Sequence, residues 1–293
     1  MKYTLKNNDI EISVTTLGGT LCSIKDHDGL EYLWQGDKNF WSGQAPVLFP
    51  ICGSIRDDTA VIGEEKHTSM PRHGIVRKRE FHAEYLKVDE VAFYVDSNDK
   101  TRQAFPYDFR LHTCYKLLPK GIRISYIVEN TGTQKMPFLI GGHPGFNCPL
   151  MEGESYEDYG IIFEKMEKCS IPTPVTESGL IDMEHRTAFF EDEDVLPLKH
   201  ELFEKDAIIF DELKSRKVNL VSLKNNKGIS LSFEQFPYLI LWSSANRGNF
   251  IAIEPWMGLS TCSDEDDVFE HKRNMQFVEP GCKSTYSYEI NLI

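Results

Sequence analysis

The sequence predicts an all-β protein, and three features of its 293 residues lead to that prediction. Apolar and polar residues alternate with a period of two over many short segments, which is the pattern of a strand with one buried face. Turns that contain Gly or Pro separate these segments. Aromatic residues make up 12% of the chain, which favours strands and also supplies flat surfaces that can stack on a sugar ring.

Two pairs of segments are typical of β-hairpins. Residues 109–117 alternate, pass through a glycine-containing turn and continue as a second alternating run over 122–128. Residues 218–223 and 229–233 repeat this arrangement around another turn that ends in glycine. Further strands are expected at 11–17, 91–95, 238–244, 250–256 and 285–293.

Three regions do not alternate. Residues 201–216 place apolar side chains at helical spacing, which predicts a short helix or an irregular crossover. Residues 40–80 carry many Gly, Pro and Arg, and residues 141–200 are acidic and rich in Pro, so both are expected to be long loops of the kind that carries function. No repeat or linker divides the chain, and we expect residues 1–293 to form one domain, most simply two stacked antiparallel sheets.

Charge and cysteine usage narrow the class of protein. A formal net charge of −13 argues against nucleic acid or an anionic membrane as a general partner. The seven cysteines are scattered without a C-x-x-C pair, which indicates reduced thiols rather than a disulfide framework or a zinc site. Residues 1–17 lack the apolar core of a signal peptide, and no stretch reaches the length of a membrane helix, so we expect a cytoplasmic location.

The acidic runs at 191–194 and 264–267 suggest a metal site at first sight. Neither has the glycine-containing spacing of a calcium loop, and a solvated surface explains both. The chain also lacks the glycine-rich fingerprints of nucleotide sites and the HExxH pattern of zinc peptidases. We therefore expect neither a metal nor a cofactor, and an oligomeric state is not written in the sequence, although a homodimer is a possible assembly.

Four residues combine reactive side chains with rigid surroundings. His143 lies in the segment GGHPGFN and His73 in the segment PRHG, so both imidazoles are flanked by Gly and Pro. Arg56 ends a third such segment. Alternation along 250–256 puts Glu254 on the same side as two aromatic residues, where burial would raise its pKa towards that of a general base and a nearby cation would lower it. The histidines and the glutamate have plainer alternatives. The two histidines could lie in turns and hydrogen-bond only to the backbone, and Glu254 could be a structural carboxylate paired with an arginine.

These segments, taken together and in order, resemble the aldose 1-epimerase (galactose mutarotase) family, most closely its LacX-like branch. The resemblance spans the whole length. It rests on Leu17–Thr20, Gly53–Arg56, Pro71–Gly74, Gly142–Asn147 and Ile253–Trp256. It implies a galactose mutarotase-like β-sandwich with few short helices, a carbohydrate substrate, and a reaction that needs no cofactor or metal.

The resemblance also implies roles for individual residues. Glu254 matches the general base that takes the proton from the anomeric hydroxyl, and His143 matches the general acid that protonates the ring oxygen. His73 matches a histidine that hydrogen-bonds near the ring oxygen, and Arg56 an arginine that orients hydroxyls. Asp206 matches a substrate-binding aspartate, and Trp256 either stacks on the sugar or belongs to the core.

Two features depart from the family pattern or add to it. Asp211 lies close enough in sequence to Asp206 to serve in its place. Pro144 and Gly145 stand where typical relatives carry a Tyr, which removes a bulky group next to the acid and leaves the sugar preference open.

Basic residues bracket His73 in this acidic chain: Arg72, Arg77, Lys78 and Arg79. They are either a solvated strand edge or a phosphate site that includes Arg77 as a substrate ligand. Three functions are therefore carried forward. The leading one is interconversion of the anomers of an aldohexose such as galactose or glucose, and the others are epimerisation of a hexose 6-phosphate and sugar binding without catalysis.

Overall fold

The computed structural model of the chain describes residues 1–63 and 66–293. The first half of the described chain forms strands β1 (Lys2–Lys6), β2 (Ile10–Thr15), β3 (Thr20–Asp26), β4 (Val47–Leu48), β5 (Thr59–Ile62), β6 (Lys66–Ser69), β7 (His82–Leu86), β8 (Glu90–Asp96), β9 (Phe109–Leu118), β10 (Gly121–Asn130) and β11 (Met136–Phe138). The second half forms β12 (Gly141–Gly142), β13 (Gly145–Asn147), β14 (Tyr159–Val175), β15 (Leu180–Pro197), β16 (Ile208–Phe210), β17 (Lys217–Ser222), β18 (Gly228–Ser232), β19 (Tyr238–Trp242), β20 (Phe250–Trp256), β21 (Gln276–Val278) and β22 (Lys283–Leu292).

Helical structure is sparse. A single α-helix, α1 (Asp99–Ala104), is present among the described residues and begins with a capping box in which Asn98 and Thr101 bond each other's backbone. Short 3₁₀ turns occur at Arg56–Asp58, Tyr156–Asp158, His200–Phe203 and Phe269–His271. None of the helices among residues 1–63 and 66–293 has the length and apolar composition needed to cross a bilayer.

Two antiparallel sheets dominate the architecture. The larger sheet has nine strands in the order β15-β14-β17-β18-β22-β10-β9-β8-β7. The other has six strands in the order β16-β19-β20-β12-β4, with β13 added beside β20. Smaller sheets are formed by β1-β2-β3, β11-β21 and β5-β6. The prediction of an all-β protein built from antiparallel sheets is confirmed.

The core lies between the two main sheets. Tyr115 and Ile124 of the nine-stranded sheet belong to the same buried cluster as Leu241 and Ile253 of the six-stranded sheet. The sheets come close together at Gly142, where a Cβ atom would lie 2.7 Å from the hydroxyl oxygen of Tyr288. A glycine is needed here because any side chain would collide with the opposite sheet.

The alternating segments fold as predicted. Strands β9 and β10 form the first hairpin, with Gly121 opposite Leu118, and β17 and β18 form the second. The runs at 238–244, 250–256 and 285–293 become β19, β20 and β22. Regular alternation predicts these strands correctly because each has one face in the core.

The expected long loop at 141–200 is wrong. It contains the two longest strands, β14 and β15, which pair with each other at the edge of the nine-stranded sheet. Their pairing shifts register four times, for example between Pro172 and Thr173, and each shift moves the following residues to the opposite face. These bulges, together with partial exposure at the edge, erase the period of two that identified the other strands.

The two other non-alternating regions are closer to expectation, although each contains one or more short strands. Residues 201–216 contain the 3₁₀ turn at His200–Phe203 and then strand β16, not an α-helix, because Ile208–Phe210 pair with β19. Residues 40–80 include the short strands β4, β5 and β6, while residues 64 and 65 of this region lie outside the described residues. Tertiary pairing overrides the helical spacing of the apolar residues.

Candidate active site

A cavity of about 240 Å³ opens at the six-stranded sheet. Strands β19 and β20 form its floor together with the residue that follows β12. The segments before β4, after β6 and before β16 contribute the rest of the lining. The predicted residues His73, His143, Asp206 and Glu254 all line it, so residues separated by up to 181 positions converge on one site.

Glu254 projects from β20 into this cavity and is only 1% exposed. Its neighbours Ile251 and Ile253 face the core between the sheets, while Phe250 and Trp256 lie on the cavity side, as the alternation predicted. Burial raises the pKa of the Glu254 carboxyl well above its usual value, and the positive charge of Arg72 only partly opposes this. Desolvation therefore prevails at this carboxyl, which makes it a stronger base than an exposed glutamate.

His143 faces Glu254 across the floor of the cavity. Its backbone N–H donates to the carbonyl of Pro46, which fixes the turn after β12. Its Nε2 lies 3.2 Å from Oε2 of Glu254, but the two atoms do not form an aligned hydrogen bond. Burial lowers the pKa of His143 to about 3, and the cations of Arg72 and Arg77 act in the same direction.

The two shifts have a joint consequence for the protons of this pair. A raised carboxyl pKa and a lowered imidazole pKa leave one proton on the pair over the intermediate pH range. The pair can hold this proton in two ways. A neutral carboxyl beside a neutral imidazole has the same number of protons as a carboxylate beside an imidazolium. Moving that proton from Glu254 to His143 therefore produces a base and an acid side by side without any exchange with solvent.

His73 adopts a left-handed backbone conformation with φ of 66° and is buried beside His143. The backbone N–H of Gly53 donates to its Nδ1 over 3.1 Å, so the proton of the neutral ring must be on Nε2. Burial, followed by the charge of His143, lowers the pKa of His73 well below its usual value. His73 is thus a neutral hydrogen-bond donor with a fixed tautomer.

Aromatic rings surround the histidine pair. Trp41 stacks on His143 with ring centroids 4.8 Å apart, and Trp242 meets the same imidazole edge-on at 5.7 Å. Trp256 lines the cavity and packs edge-on against His73 at 5.5 Å. Neither Trp41 nor Trp242 was singled out from the sequence. None of the four tryptophans of the chain lies near His73 or His143 in sequence, so no local signal in the sequence indicated these two.

Gly145 explains how the departure from the family pattern is accommodated. A Cβ atom at this position would lie 2.7 Å from the ring of Trp41. A larger residue would push Trp41 away from its stacking position on His143. The space left by the absent Tyr is therefore filled from another segment of the chain, and a bulky group still covers the imidazole.

Two arginines, Arg72 and Arg77, bring positive charge to the cavity. Arg77 donates from Nη2 to the backbone carbonyl of Arg72 over 2.9 Å, and this bond anchors the Arg77 side chain to its own segment. Arg72 was predicted only as part of the basic cluster, and its place in the lining was missed. The prediction for Arg56 is not met, because its guanidinium pairs with Asp267 and donates to the carbonyl of Glu265, outside the cavity lining.

The run 264–267 is largely a solvated surface, as expected, since the side chains of Asp264, Asp266 and Asp267 are about half exposed. Its four carboxylates each pair with a basic side chain, and the Glu265–Lys272 pair is buried. Among residues 1–63 and 66–293, no group of three His, Cys, Asp or Glu side chains is arranged to hold a metal ion. All seven cysteines within this range are unpaired thiols.

The structure distinguishes the two candidate aspartates. Asp206 lines the cavity, and one of its oxygens accepts from the N–H of Ala207. Asp211 instead receives two hydrogen bonds from Arg186, at 2.9 and 2.8 Å. A bidentate arginine leaves this carboxylate little capacity for a ligand, so Asp206 is the aspartate available to one.

A matched pair of substitutions tests this distinction. If the cavity holds the sugar that the resemblance implies, Asp206→Asn should weaken its binding about tenfold, since it removes a charged acceptor from the cavity. Asp211→Asn should leave binding unchanged and lower the free energy of unfolding, because it breaks the Arg186 pair. Isothermal titration with galactose and urea unfolding of both variants measure the two effects. An Asp211→Asn protein with the larger binding defect would contradict the assignment.

Comparison with known proteins places the chain in a family. The family model described as aldose 1-epimerase matches residues 1–272. Two curated relatives, the plasmid-encoded and the chromosomal protein LacX of Lactococcus lactis subsp. lactis, are each 47% identical over 298 aligned residues, with 100% of both chains covered. The chain belongs to the aldose 1-epimerase family, and the resemblance to its LacX-like branch is confirmed.

Solved structures agree with this placement. A galactose mutarotase related enzyme from Lactobacillus acidophilus superposes with a TM-score of 0.93 at 29% identity, covering 100% of this chain and 97% of the other. A galactose mutarotase-like protein from Lactobacillus casei ATCC 334 gives a TM-score of 0.88 at 28% identity, covering 100% of both chains. The fold and the family are thus established, whereas the substrate and the mechanism have to be argued from the cavity.

Proposed function

We propose that this protein is an isomerase that interconverts the α and β anomers of an aldohexose such as galactose or glucose. The observation that carries the proposal is the buried pair of His143 and Glu254, whose facing atoms are 3.2 Å apart in an open cavity. Ring opening removes a proton from the C1 hydroxyl and adds a proton to the ring oxygen. A carboxyl and an imidazole that share one proton can supply the base and the acid for these two transfers.

The polar atoms of the cavity support a ligand that is rich in hydroxyl groups. His143 Nδ1, Glu254 Oε2 and Trp256 Nε1 are all buried and have no hydrogen-bond partner among the described residues. Buried polar atoms are normally satisfied, and clustered exceptions call for an explanation. Sugar hydroxyls both donate and accept, so a sugar can pair with such atoms, while Trp41, Trp242 and Trp256 offer apolar faces to its C–H groups. The volume of about 240 Å³ corresponds to roughly eight water molecules, which suits a monosaccharide.

The reaction follows from these positions. The Glu254 carboxylate accepts the proton of the C1 hydroxyl, while the His143 imidazolium donates a proton to the ring oxygen. The bond between C1 and the ring oxygen breaks, which gives an open-chain aldehyde with a hydroxyl at C5. After rotation about the C1–C2 bond, the C5 hydroxyl adds to the opposite face of the carbonyl. His143 recovers its proton from that hydroxyl and Glu254 returns its proton to the carbonyl oxygen, so protons balance over the cycle.

The surrounding residues position the substrate for these transfers. His73 presents a neutral Nε2–H donor, and the stacking of Trp41 holds the imidazole of His143 at a fixed angle. Asp206 and Arg72 offer an acceptor and a donor for the remaining hydroxyls. Correct orientation of a substrate between two fixed groups is a large part of the rate that such a site can supply.

Polarimetry of freshly dissolved α-galactose and α-glucose tests the proposal. We expect the protein to accelerate the approach to the equilibrium rotation in proportion to its concentration, above the spontaneous rate in water. Sugar binding without any acceleration would instead support a non-catalytic sugar-binding protein.

A second candidate, the epimerisation of a hexose 6-phosphate, is favoured by one observation. Arg72 and Arg77 both line the cavity, and among the described residues neither has a carboxylate within 4 Å. Guanidinium groups without a carboxylate partner suit the oxygens of a phosphate. The chemistry at C1 would be unchanged, and only the charge of the substrate would differ.

Substitution of these arginines separates the two candidates. If the substrate is phosphorylated, Arg77→Ala should lower kcat/KM for glucose 6-phosphate about tenfold or more and leave kcat/KM for glucose nearly unchanged. Lys120→Ala, which removes an exposed cation outside the cavity lining, is the control. Equal effects of Arg77→Ala on both sugars, with no preference of the wild type for the phosphate, would eliminate this candidate.

A further inference from the structure

A second cavity, of about 520 Å³, lies beside the candidate active site. Its walls are the segment that follows β6, from Pro71 to Arg79, and the amino-terminal part of α1 with its capping residue Asn98. Among the described residues, only Arg77 lines both this cavity and the one that contains His143 and Glu254. None of the proposed acid, base and sugar-contacting side chains other than Arg77 is part of the second cavity.

The lining of this cavity is strongly basic. Arg77, Lys78, Arg79 and Lys100 all contribute to it, and no acidic residue does so among the described residues. The nearest acidic residues along the chain, Glu80 and Asp99, are already engaged, since Glu80 pairs with the amino-terminal ammonium group and Asp99 with Arg102. In a chain with a formal net charge of −13, four cations around one cavity are a marked local reversal of charge.

The basic side chains lack carboxylate partners within the described part of the chain. No carboxylate of residues 1–63 or 68–293 lies within 4 Å of Arg77, Lys78, Arg79 or Lys100. The Nη1 atom of Arg79 is buried and has no hydrogen-bond acceptor among these residues. A buried guanidinium nitrogen without an acceptor is unfavourable, and the uncompensated charge of Arg79 favours an anion in the cavity that this residue lines.

The remaining lining defines the rest of the ligand. Pro71, Ile75 and Ala104 give the cavity an apolar side. The side chains of Asn98 and Thr101 are occupied in capping α1, so they add little polar recognition. A ligand therefore needs an anionic group that pairs with the cations and a compact, partly apolar body that contacts Pro71, Ile75 and Ala104.

We propose that this cavity binds a small organic phosphate at a site separate from the sugar cleft. Lysines and arginines that converge from two segments suit the several oxygens and the double charge of a phosphate monoester better than a single carboxylate. The cavity volume leaves room for a body the size of an aromatic ring or a sugar beyond the phosphate.

Arg77 connects this site to the cleft. A phosphate that pairs with its guanidinium reduces the positive charge felt by His143 and His73 on the other side, where Arg77 now disfavours the protonated rings. Occupancy of the second cavity is therefore expected to alter the activity of the first. This consequence rests on the proposed function, whereas the binding itself does not.

Calorimetric titration with phenyl phosphate tests the binding without reference to any activity. The probe combines a phosphate with an apolar ring, and benzyl alcohol serves as its uncharged counterpart. The test variant is Lys78→Gln/Lys100→Gln, which removes two cations that line only the second cavity. The control is Lys120→Gln/Lys217→Gln, which removes the same charge from exposed positions outside both cavities.

We expect saturable binding of phenyl phosphate to the wild type, no binding of benzyl alcohol, and about tenfold weaker binding to the test variant. The control variant should bind like the wild type, and saturating galactose should leave the affinity within about twofold. Three results would overturn the proposal: absence of saturable binding, equal loss of affinity in both variants, or full competition by galactose with no effect of the lysine substitutions. The last result would place the phosphate in the sugar cleft.

Discussion

Replacement of Glu254 by Gln is expected to lower kcat for anomer exchange about 10³-fold, within the range typical of a lost general base. Gln retains the size of the side chain and can still hydrogen-bond to a sugar, so KM should change little. The loss then appears in kcat because the amide cannot accept the proton of the C1 hydroxyl. Polarimetry over a range of galactose concentrations separates the two parameters.

The same substitution should stabilise the protein in neutral and alkaline solution. The pKa of Glu254 is raised in the folded state, so its stabilising contribution is fully present below the unfolded pKa of 4.5 and is lost as the pH rises through the folded pKa. Gln does not ionise and escapes this loss. We therefore expect the free energy of unfolding of Glu254→Gln to exceed that of the wild type by on the order of 1 kcal/mol at pH 8, and the difference to shrink towards pH 4.5.

Activity and stability together provide an internal control. A variant that is inactive because it is misfolded would be less stable at every pH, whereas a lost base gives an inactive protein that is more stable at pH 8. Full activity in Glu254→Gln, or a stability difference with the opposite pH dependence, would contradict the role assigned to this carboxylate.

Replacement of His143 by Asn is expected to have the second large effect, a decrease in kcat of about 10²- to 10⁴-fold. Asn keeps a hydrogen-bonding group near Glu254, but it cannot donate a proton to the ring oxygen. Trp41 loses its stacking partner in this variant, so circular dichroism should be recorded to confirm that the fold persists. The Glu254→Gln/His143→Asn protein should be little slower than either single variant, because the two groups act as one unit.

The pH dependence of the residual rate gives a sharper test of the shared proton. In the wild type, raising the pH through the elevated pKa of Glu254 removes the one proton of the pair, leaves His143 unable to act as an acid and lowers the rate. In His143→Asn only the base remains, and deprotonation of Glu254 over the same range raises the residual rate. Parallel profiles for the two proteins would show that the pair does not share its proton.

Much of this site could be predicted from the sequence because its reactive residues lie in unusually rigid segments. The motifs around His73 and His143 stand out through their Gly and Pro residues, and alternation along β20 places Glu254 on the cavity side. The family resemblance then links the three residues. The spacing of 3.2 Å between the proposed acid His143 and the proposed base Glu254, however, depends on two segments that are more than 100 positions apart.

What could not be predicted depends on contacts between distant segments. Trp41 covers His143 only because Gly145 leaves it room, and nothing near Trp41 in sequence indicates this. Arg56 has the local surroundings of a ligand but finds a carboxylate partner, Asp267, from a distant turn. Arg72 takes a position at the cavity that the motif alone did not assign.

The fold shows the same division. Strands with one buried face keep a clean period of two and were predicted, as for β9 and β10. The longest pair, β14 and β15, was mistaken for a loop because its four register shifts and exposed edge remove that period. Pro172 and Pro174 within β14 added to the error, since proline is rare inside strands except at edges and bulges.

The most direct test of the proposed function is saturation-transfer NMR of galactose at anomeric equilibrium. Irradiation of the α-anomeric proton should reduce the β-anomeric signal in the presence of micromolar wild-type protein, and the exchange rate should increase linearly with protein concentration. The Glu254→Gln/His143→Asn protein should return the rate to the spontaneous value in water. Exchange for galactose, glucose and glucose 6-phosphate that stays at the spontaneous rate with the wild type, or acceleration that survives in the double variant, would contradict an acid–base mutarotase at this cavity.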